Sequence, residues 1–305
     1  MKRIGFGMVV LVALTFLAGC APAAKAVQTK RSIAVTYSVL GSLVKELAGD
    51  QFDIVVSLPN GLDVHEWEPS AKDIEALHKA SFIVRNGLGL EGGMDKALAQ
   101  AKAAGVPMFT ASDHIDVRTV KPGQGLPTGD LDQATGAPDP HLWMDPQRMK
   151  AIVQALAADL KTRFGTDLGG KATDLAGRLD ALDSRIKARV AAVPKAKRLL
   201  VTGHESLGYF ADAYGFTLVG AIVPSLTDQA EVSAADMAAL KKTIQSTKVN
   251  VIFTELGTPP KVAQALGREL GLKVVEITTH ALPSDGSYFT FLEKLSDTII
   301  QTLQD

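Results

Sequence analysis

The chain has 305 residues, of which 46% are hydrophobic and 21% are charged, with a formal net charge of −1, six histidines and one cysteine. This length fits one large domain or two lobes, and the apolar content excludes a disordered chain. The balanced charge argues against a nucleic-acid-binding protein, which usually carries a basic surplus. A single cysteine excludes an internal disulfide and cysteine-rich metal sites. Any bound metal must therefore be held by histidines and carboxylates.

The N-terminal residues are typical of a secretory signal. After a short basic start, residues 4–18 are uncharged and mostly apolar, fewer than the roughly 20 residues that a membrane-spanning helix needs. The run ends at Leu17-Ala18-Gly19-Cys20, which resembles a bacterial lipobox. The alternative is a cysteine buried in an N-terminal anchor helix. We predict a signal peptide over residues 1–19, lipid attachment at Cys20 and a flexible tether over residues 20–30.

Strands and helices alternate along most of the remaining chain. Predicted strands cover residues 32–37, 52–58, 82–84, 106–110, 198–202, 216–222, 249–254 and 273–277. Predicted helices cover residues 38–49, 71–80, 94–104, 147–164, 206–214, 233–247, 259–270 and 288–303. This alternation predicts an α/β fold with mainly parallel sheets flanked by helices. The Gly- and Pro-rich residues 121–138 are predicted to form a long surface loop.

A long helical pattern divides the chain into two parts. Apolar residues recur at helical spacing over residues 168–194, and the pattern ends before Pro194. The simple interpretation is one long, rigid, solvent-facing helix over residues 167–194 that joins an N-terminal lobe (31–166) to a C-terminal lobe (195–305). The alternative is one continuous sheet with this helix packed on one face.

Four histidines follow predicted strands or lie in predicted loops. They are His65, His141, His204 and His280, two in each predicted lobe. In open α/β sheets, ligands bind outside the carboxyl ends of the strands. Two lobes that face each other could bring the four imidazoles together in the cleft, where they would suit tetrahedral Zn²⁺. The spacing of these histidines alone is weak support for such a site.

Other residues near these histidines could support or surround the site. Glu255, at the end of a predicted strand, is our best candidate to accept a hydrogen bond from a ligating imidazole; the alternative is a solvated loop carboxylate. Further carboxylates that could bind metal or support the histidines are Glu66, Glu68, Glu205 and Asp145. Trp67 and Trp143 are expected to form walls of the site, whereas His78 and His114 are expected to lie outside it.

Four motifs in order resemble those of one receptor family. They are GLDVHEWEPS at 61–70, NGLGLE at 86–91, DPHLWMDP at 139–146 and HESLGYF at 204–210. They resemble the motifs of the cluster A-I solute-binding lipoproteins, ZnuA-like and PsaA-like, which serve bacterial zinc and manganese ABC importers. The resemblance extends over residues 32–303, and the lipobox at residues 17–20 adds to it.

The resemblance implies two α/β lobes joined by one rigid helix, with the metal held between them. It also implies a lipid-anchored, monomeric receptor outside the cytoplasm whose partners are an ABC permease and its ATPase. The family's first three ligands map onto His65, His141 and His204, and histidine at the third position is typical of the zinc branch. The fourth ligand is usually aspartate but aligns with His280 here. An all-imidazole site favours Zn²⁺ over Mn²⁺.

The sequence therefore predicts a binding protein that captures Zn²⁺ and delivers it to a permease without chemical conversion. A manganese-preferring receptor of the same family is the nearest alternative. A zinc hydrolase is less favoured, because catalytic zinc keeps an open position and the HExxH motif is absent. An adhesin role has no supporting repeat or exposed apolar stretch in the sequence.

Overall fold

A computed structural model describes residues 30–121, 135–228 and 231–304. The predicted signal peptide, Cys20 and nearly all of the tether lie outside the described residues. So does most of the Gly- and Pro-rich loop, although Thr119 and Pro138 form an isolated antiparallel bridge at its base. Among the described residues, no helix is both long and apolar enough to span a membrane.

The N-terminal part forms a four-stranded parallel sheet with order β2-β1-β3-β4. Its elements are β1 Ser32–Val35, α1 Ser38–Ala48, β2 Asp53–Val56, α2 Ala71–Lys79, β3 Phe82–Arg85, α3 Asp95–Ala103 and β4 Met108–Thr110. Short apolar runs form the central strands, which are almost fully buried. A capping box between Ser70 and Asp73 fixes the start of α2 directly after the GLDVHEWEPS motif.

Two long helices connect the two parts of the chain. Helix α4, Pro146–Phe164, starts at the capping side chain of Asp145, and α5 covers Gly169–Val190. Helix α5 packs along one side against α4 and α9, and it also contacts α1. The prediction that this helix faces solvent is therefore wrong for its apolar face, where Leu179, Leu182 and Ile186 are buried.

The C-terminal part repeats the arrangement of the first. Its elements are β5 Leu199–Thr202, α6 Gly208–Tyr214, β6 Thr217–Ala221, α7 Ala234–Ser246, β7 Val251–Thr254, α8 Pro260–Leu270, β8 Lys273–Glu276 and α9 Tyr288–Gln304. Parallel pairs β5–β6 and β7–β8 lie side by side through contacts of β5 with β7. No pairing in the described residues joins these strands to the first sheet. The predicted α/β fold of two lobes with parallel sheets is confirmed.

The two lobes share one hydrophobic core beneath the cleft. A single cluster of buried side chains includes Val35 and Trp143 from the N-terminal part, Leu179 from α5, and Phe253 and Tyr288 from the C-terminal part. The Tyr288 hydroxyl also donates a 2.9 Å hydrogen bond to the carbonyl of Trp143. The loops that carry the four histidines therefore rise from a common packed base.

Candidate metal centre

The four histidines singled out by the sequence meet at one point between the lobes. Ligand nitrogens of His65, His141, His204 and His280 all lie within 4.8 Å of one another. Nε2 of His141 lies 3.3 Å from Nε2 of His65 and 3.2 Å from Nε2 of His204. Four nitrogens bound tetrahedrally to Zn²⁺ at about 2.0–2.1 Å would be separated by about 3.3–3.4 Å. Two of the separations already match a tetrahedral site.

The cluster is shielded from solvent. His141 and His204 have no exposed surface, and His65 and His280 are 7% and 4% exposed. The rings of His204 and His280 are stacked, with centroids 5.4 Å apart and planes 13° apart. Trp143 packs against His141 and His280 at centroid distances of 5.3 and 5.7 Å. Trp67 instead packs against the shared hydrophobic core and against a second cluster within the N-terminal lobe.

The two N-terminal histidines share an Asp-x-His turn. Oδ1 of Asp63 accepts a 2.8 Å hydrogen bond from the backbone N–H of His65, and Oδ1 of Asp139 accepts one of 3.0 Å from that of His141. Asp139 Oδ1 also lies 2.9 Å from Nδ1 of His141. A proton on Nδ1 leaves Nε2 unprotonated and directed at the cluster. From the sequence, Asp139 was expected only to make hydrogen bonds within the turn, although the repeated Asp-x-His spacing could have indicated its contact with the ring of His141.

The C-terminal His204 is held by the buried side chain of Glu255. The backbone N–H of His204 donates to Oε1 of Glu255 at 3.1 Å, and the hydroxyl of Ser206 donates to Oε2 at 2.8 Å. Nδ1 of His204 lies 3.1 Å from the same Oε1, close enough for charge attraction although not aligned for a full hydrogen bond. A side chain on Gly203 would clash with Thr258 and crowd Glu255. Glycine thus permits the carboxylate to approach.

The NGLGLE motif supports His141 from the N-terminal sheet. The side-chain amide of Asn86 donates to the carbonyl of Pro140 at 2.9 Å and accepts from the hydroxyl of Tyr37 at 2.9 Å. Glu91 accepts a 2.5 Å hydrogen bond from the backbone N–H of Asn86. The motif therefore fixes the turn that presents His141, a role that its sequence alone did not indicate.

Arg118 joins this turn to the opposite lobe. Its Nη1 donates to Oδ2 of Asp139 at 3.0 Å, and its Nε donates to Oδ2 of Asp212 on α6 at 3.2 Å. The hydroxyl of Tyr209, also on α6, accepts from the backbone N–H of Arg118 at 2.9 Å and donates to the carbonyl of Asp139 at 3.2 Å. No local sequence signal marks Arg118, because its partners lie on a separate loop and on the distant helix α6.

The remaining candidates lie outside the histidine cluster. Asp145 caps α4, and Glu205 is buried without belonging to the cluster. Glu66, Glu68 and His78 are exposed, and His114 stacks on Phe109 at a centroid distance of 4.4 Å. In the part of the chain that the structure describes, the only group of three or more suitable side chains is the four-histidine cluster.

Burial keeps most of the clustered imidazoles neutral. Burial and the neighbouring histidines lower the pKa of His65 well below its usual value and that of His280 to about 4. Burial also lowers the pKa of His141, although Asp139 opposes it. For His204 burial acts in the same direction, but the charges of Glu255 and nearby aspartates outweigh it and raise the pKa. Neutral imidazoles are the form that binds metal.

Asp63 and Asp228 add negative charge beside the histidines, and neither was among the predicted site residues. Burial and the contact with Asp63 raise the pKa of Asp228 to about 8. Burial would also raise the pKa of Asp63, but its hydrogen bond with Asp228 and the charge of His280 lower it. With the pKa of Asp228 raised and that of Asp63 lowered, the pair carries about one negative charge near neutral pH. The remaining negative charge favours a cation in the cleft.

The metal-free protein should lose stability as the pH falls from about 6.5 to about 4. His65, His141 and His280 have lower pKa values when folded than when unfolded, so the unfolded chain binds more protons in this range. His204 and Asp228 oppose the trend, because their pKa values are raised in the folded protein. Urea unfolding with a chelator present, repeated between pH 7.5 and 4.5, measures how the free energy of unfolding depends on pH.

Replacement of His280 with alanine should make the free energy of unfolding depend less steeply on pH, because one group with a lowered pKa is removed. The same change at the exposed His78 should leave this pH dependence unaltered. A free energy of unfolding that is constant or rises on acidification would contradict the prediction.

Comparisons with known proteins identify the family of this chain. The family model described as "Zinc-uptake complex component A periplasmic" matches residues 33–302. The manganese ABC transporter substrate-binding lipoprotein PsaA of Streptococcus anginosus is 25% identical over 318 aligned residues, with 99% of each chain covered. The manganese-binding lipoprotein MntA of Halalkalibacterium halodurans is 24% identical with the same coverage.

Solved structures show the same fold. The periplasmic zinc-binding protein TroA of Treponema pallidum superposes with a TM-score of 0.75 at 26% identity, covering 90% of this chain and 99% of TroA. A Mn-bound periplasmic metal-binding protein of Candidatus Liberibacter asiaticus gives 0.76 at 20% identity, covering 90% of this chain and 100% of its own. Because the family model spans nearly the whole described fold and both lobes, the chain belongs to the family of periplasmic component A proteins of zinc-uptake complexes.

Proposed function

We propose that this chain is the extracytoplasmic metal receptor of an ABC importer. It captures one Zn²⁺ between its lobes with His65, His141, His204 and His280, and it delivers the ion to a membrane permease driven by an ATPase. The observation that carries the proposal is the convergence of four buried imidazoles whose ligand nitrogens lie within 4.8 Å. No covalent step is part of this function.

The donor atoms favour zinc over manganese. Mn²⁺ prefers carboxylate, carbonyl and water oxygens, whereas four imidazole nitrogens suit Zn²⁺. The carboxylates nearest the rings, Asp139 and Glu255, already accept hydrogen bonds from the histidine backbones and lie against Nδ1 atoms. Manganese is the second candidate because the relatives PsaA and MntA carry manganese in their names.

The arrangement does not favour a hydrolase. A catalytic zinc keeps a position open for water, and four protein ligands would close a tetrahedral site. The predicted division into residues 31–166, 167–194 and 195–305, with lipid attachment at Cys20, is part of the proposal. A monomer anchored outside the cytoplasmic membrane, in the periplasm or on the outer face, would present its cleft to the permease.

Competition against a chromophoric chelator tests the metal preference. The protein is stripped of metal and titrated with Zn²⁺ or Mn²⁺, and bound metal is counted by elemental analysis. We expect one Zn²⁺ per chain, and Mn²⁺ binding weaker by roughly 100-fold or more, as the order of divalent-metal affinities for nitrogen sites implies. The proposal of a zinc receptor is wrong if Mn²⁺ binds as tightly as Zn²⁺ or if neither ion binds.

A further inference from the structure

Glu255 contacts His204 directly and is linked to His280 through the side chain of Thr279. It lies directly against His204, and it is also hydrogen-bonded to the hydroxyl of Thr279. Oγ1 of Thr279 in turn lies 2.8 Å from Nδ1 of the adjacent His280. Thr279 is 1% exposed and Glu255 is 4% exposed, so water does not compete for these contacts. A chain of polar groups thus runs from the carboxylate to the fourth histidine.

The chemistry of these groups fixes the direction of each hydrogen bond. Glu255 accepts hydrogen bonds on both carboxylate oxygens, from the backbone N–H of His204 at 3.1 Å and from the hydroxyl of Ser206 at 2.8 Å. As an ionised carboxylate it has no proton of its own to donate and can only accept hydrogen bonds. A threonine hydroxyl has one proton to donate, and Thr279 gives that proton to Glu255. Its oxygen can then only accept from Nδ1 of His280, which must carry the ring proton.

The other ring nitrogen of His280 is left free. Nε2 of His280 is buried and has no hydrogen-bond partner among the described residues. With the proton held on Nδ1, Nε2 keeps its lone pair for a cation. The main chain of Thr279 is held as well, because Nε1 of Trp143 donates a 2.9 Å hydrogen bond to its carbonyl. The hydroxyl is therefore presented to His280 in a fixed position.

We infer that Thr279 is a positioning residue that locks His280 in the Nδ1-protonated tautomer and, through it, strengthens Zn²⁺ binding by the fourth imidazole. This inference rests on the proposed function for its effect on zinc. The tautomer itself is a property of the chain without metal. In this role Thr279 does for His280 what Asp139 does for His141, with a neutral hydroxyl inserted between the ring and the carboxylate.

Three variants separate the hydroxyl from the packing of the side chain. Thr279→Val removes the hydroxyl with little change in shape, Thr279→Ser keeps it, and Thr278→Val makes the same change at the exposed neighbouring threonine. Loss of such a supporting contact typically lowers metal affinity 10–100-fold. We expect a fall of that size for Thr279→Val in chelator competition with Zn²⁺. Affinities of Thr279→Ser and Thr278→Val should stay within about threefold of the parent.

A measurement on the metal-free protein tests the tautomer directly. Long-range ¹H–¹⁵N NMR spectra of histidine-labelled protein distinguish Nδ1–H from Nε2–H rings. His280 should be Nδ1-protonated in the parent and in Thr279→Ser, and should shift toward the Nε2–H form in Thr279→Val. The inference is overturned if Thr279→Val keeps both the parent tautomer and the parent affinity, or if Thr279→Ser is as weak as Thr279→Val. If the parent protein binds no Zn²⁺, the proposed function fails, whereas the NMR spectra still decide the tautomer.

Discussion

Replacing His141 with alanine should weaken Zn²⁺ binding by about two to three orders of magnitude. Zinc held by four protein ligands contributes about 10–16 kcal/mol, so one ligand accounts for roughly 2.5–4 kcal/mol, and each 1.4 kcal/mol is tenfold. His141 is the centre of the cluster, since its Nε2 lies 3.2–3.3 Å from those of two other histidines. The loss also leaves the Asp139 carboxylate buried without the ring that it supports. Chelator competition measures the affinity.

The matched control is His78→Ala, which removes an exposed histidine from the surface of α2 and should bind Zn²⁺ like the parent. Circular dichroism of both metal-free variants shows whether the fold is retained. A His141→Ala protein that is folded and binds Zn²⁺ within about tenfold of the parent would remove His141 from the proposed ligands, because a lost ligand costs more than 1.4 kcal/mol.

The fold could be predicted from the sequence because its signals are local. Apolar runs and helical spacing located all eight strands and every α-helix of the described residues to within a few positions, and Gly165, Gly215 and Gly271 end their helices in the left-handed conformation. The environment of α5 was less predictable. Its heptad-like apolar face is visible in the sequence, but its partners α1, α4 and α9 come from both parts of the chain. Periodicity identifies a buried face without identifying its neighbours.

The site shows the same division between local and long-range information. Each histidine could be selected because it follows a strand or lies in a loop. The residues that hold the histidine loops in place could not be derived in this way. Arg118 forms a hydrogen bond with Asp212 of the other lobe, and Asn86 forms one with Pro140 of another loop. Asp228 was not selected because it stands in no motif, yet burial and the neighbouring Asp63 raise its pKa beside the cluster. Residues that act through hydrogen bonds between distant segments carry no sequence spacing of their own.

The substitution with the clearest effect on metal choice is His280→Asp. His280 aligns with the fourth ligand position of the family, which is usually aspartate. This change therefore introduces one oxygen donor into a site whose other three donors are nitrogen atoms. Oxygen ligands favour Mn²⁺, whereas imidazoles favour Zn²⁺. The shorter aspartate also reaches less far than Nε2 of the imidazole, and it loses the contact with Thr279. We expect Zn²⁺ affinity to fall about 10–100-fold and Mn²⁺ affinity to fall much less or to rise.

His280→Ala separates the loss of a ligand from the change of donor. This variant should also bind Zn²⁺ about 100-fold more weakly, since it removes one of four ligands, but it offers Mn²⁺ no new oxygen. The ratio of Zn²⁺ to Mn²⁺ affinity should therefore fall at least about tenfold more in His280→Asp than in His280→Ala. Equal ratios in the two variants would mean that the fourth side chain does not set the metal preference. Parent-like Zn²⁺ affinity in His280→Ala would mean that His280 is not a ligand.

The buried carboxylate of Glu255 already lies close to this position, so a second carboxylate introduced at residue 280 tolerates burial only beside a cation. Metal-free His280→Asp should accordingly be less stable than metal-free His280→Ala, and saturating Mn²⁺ should raise its unfolding temperature more.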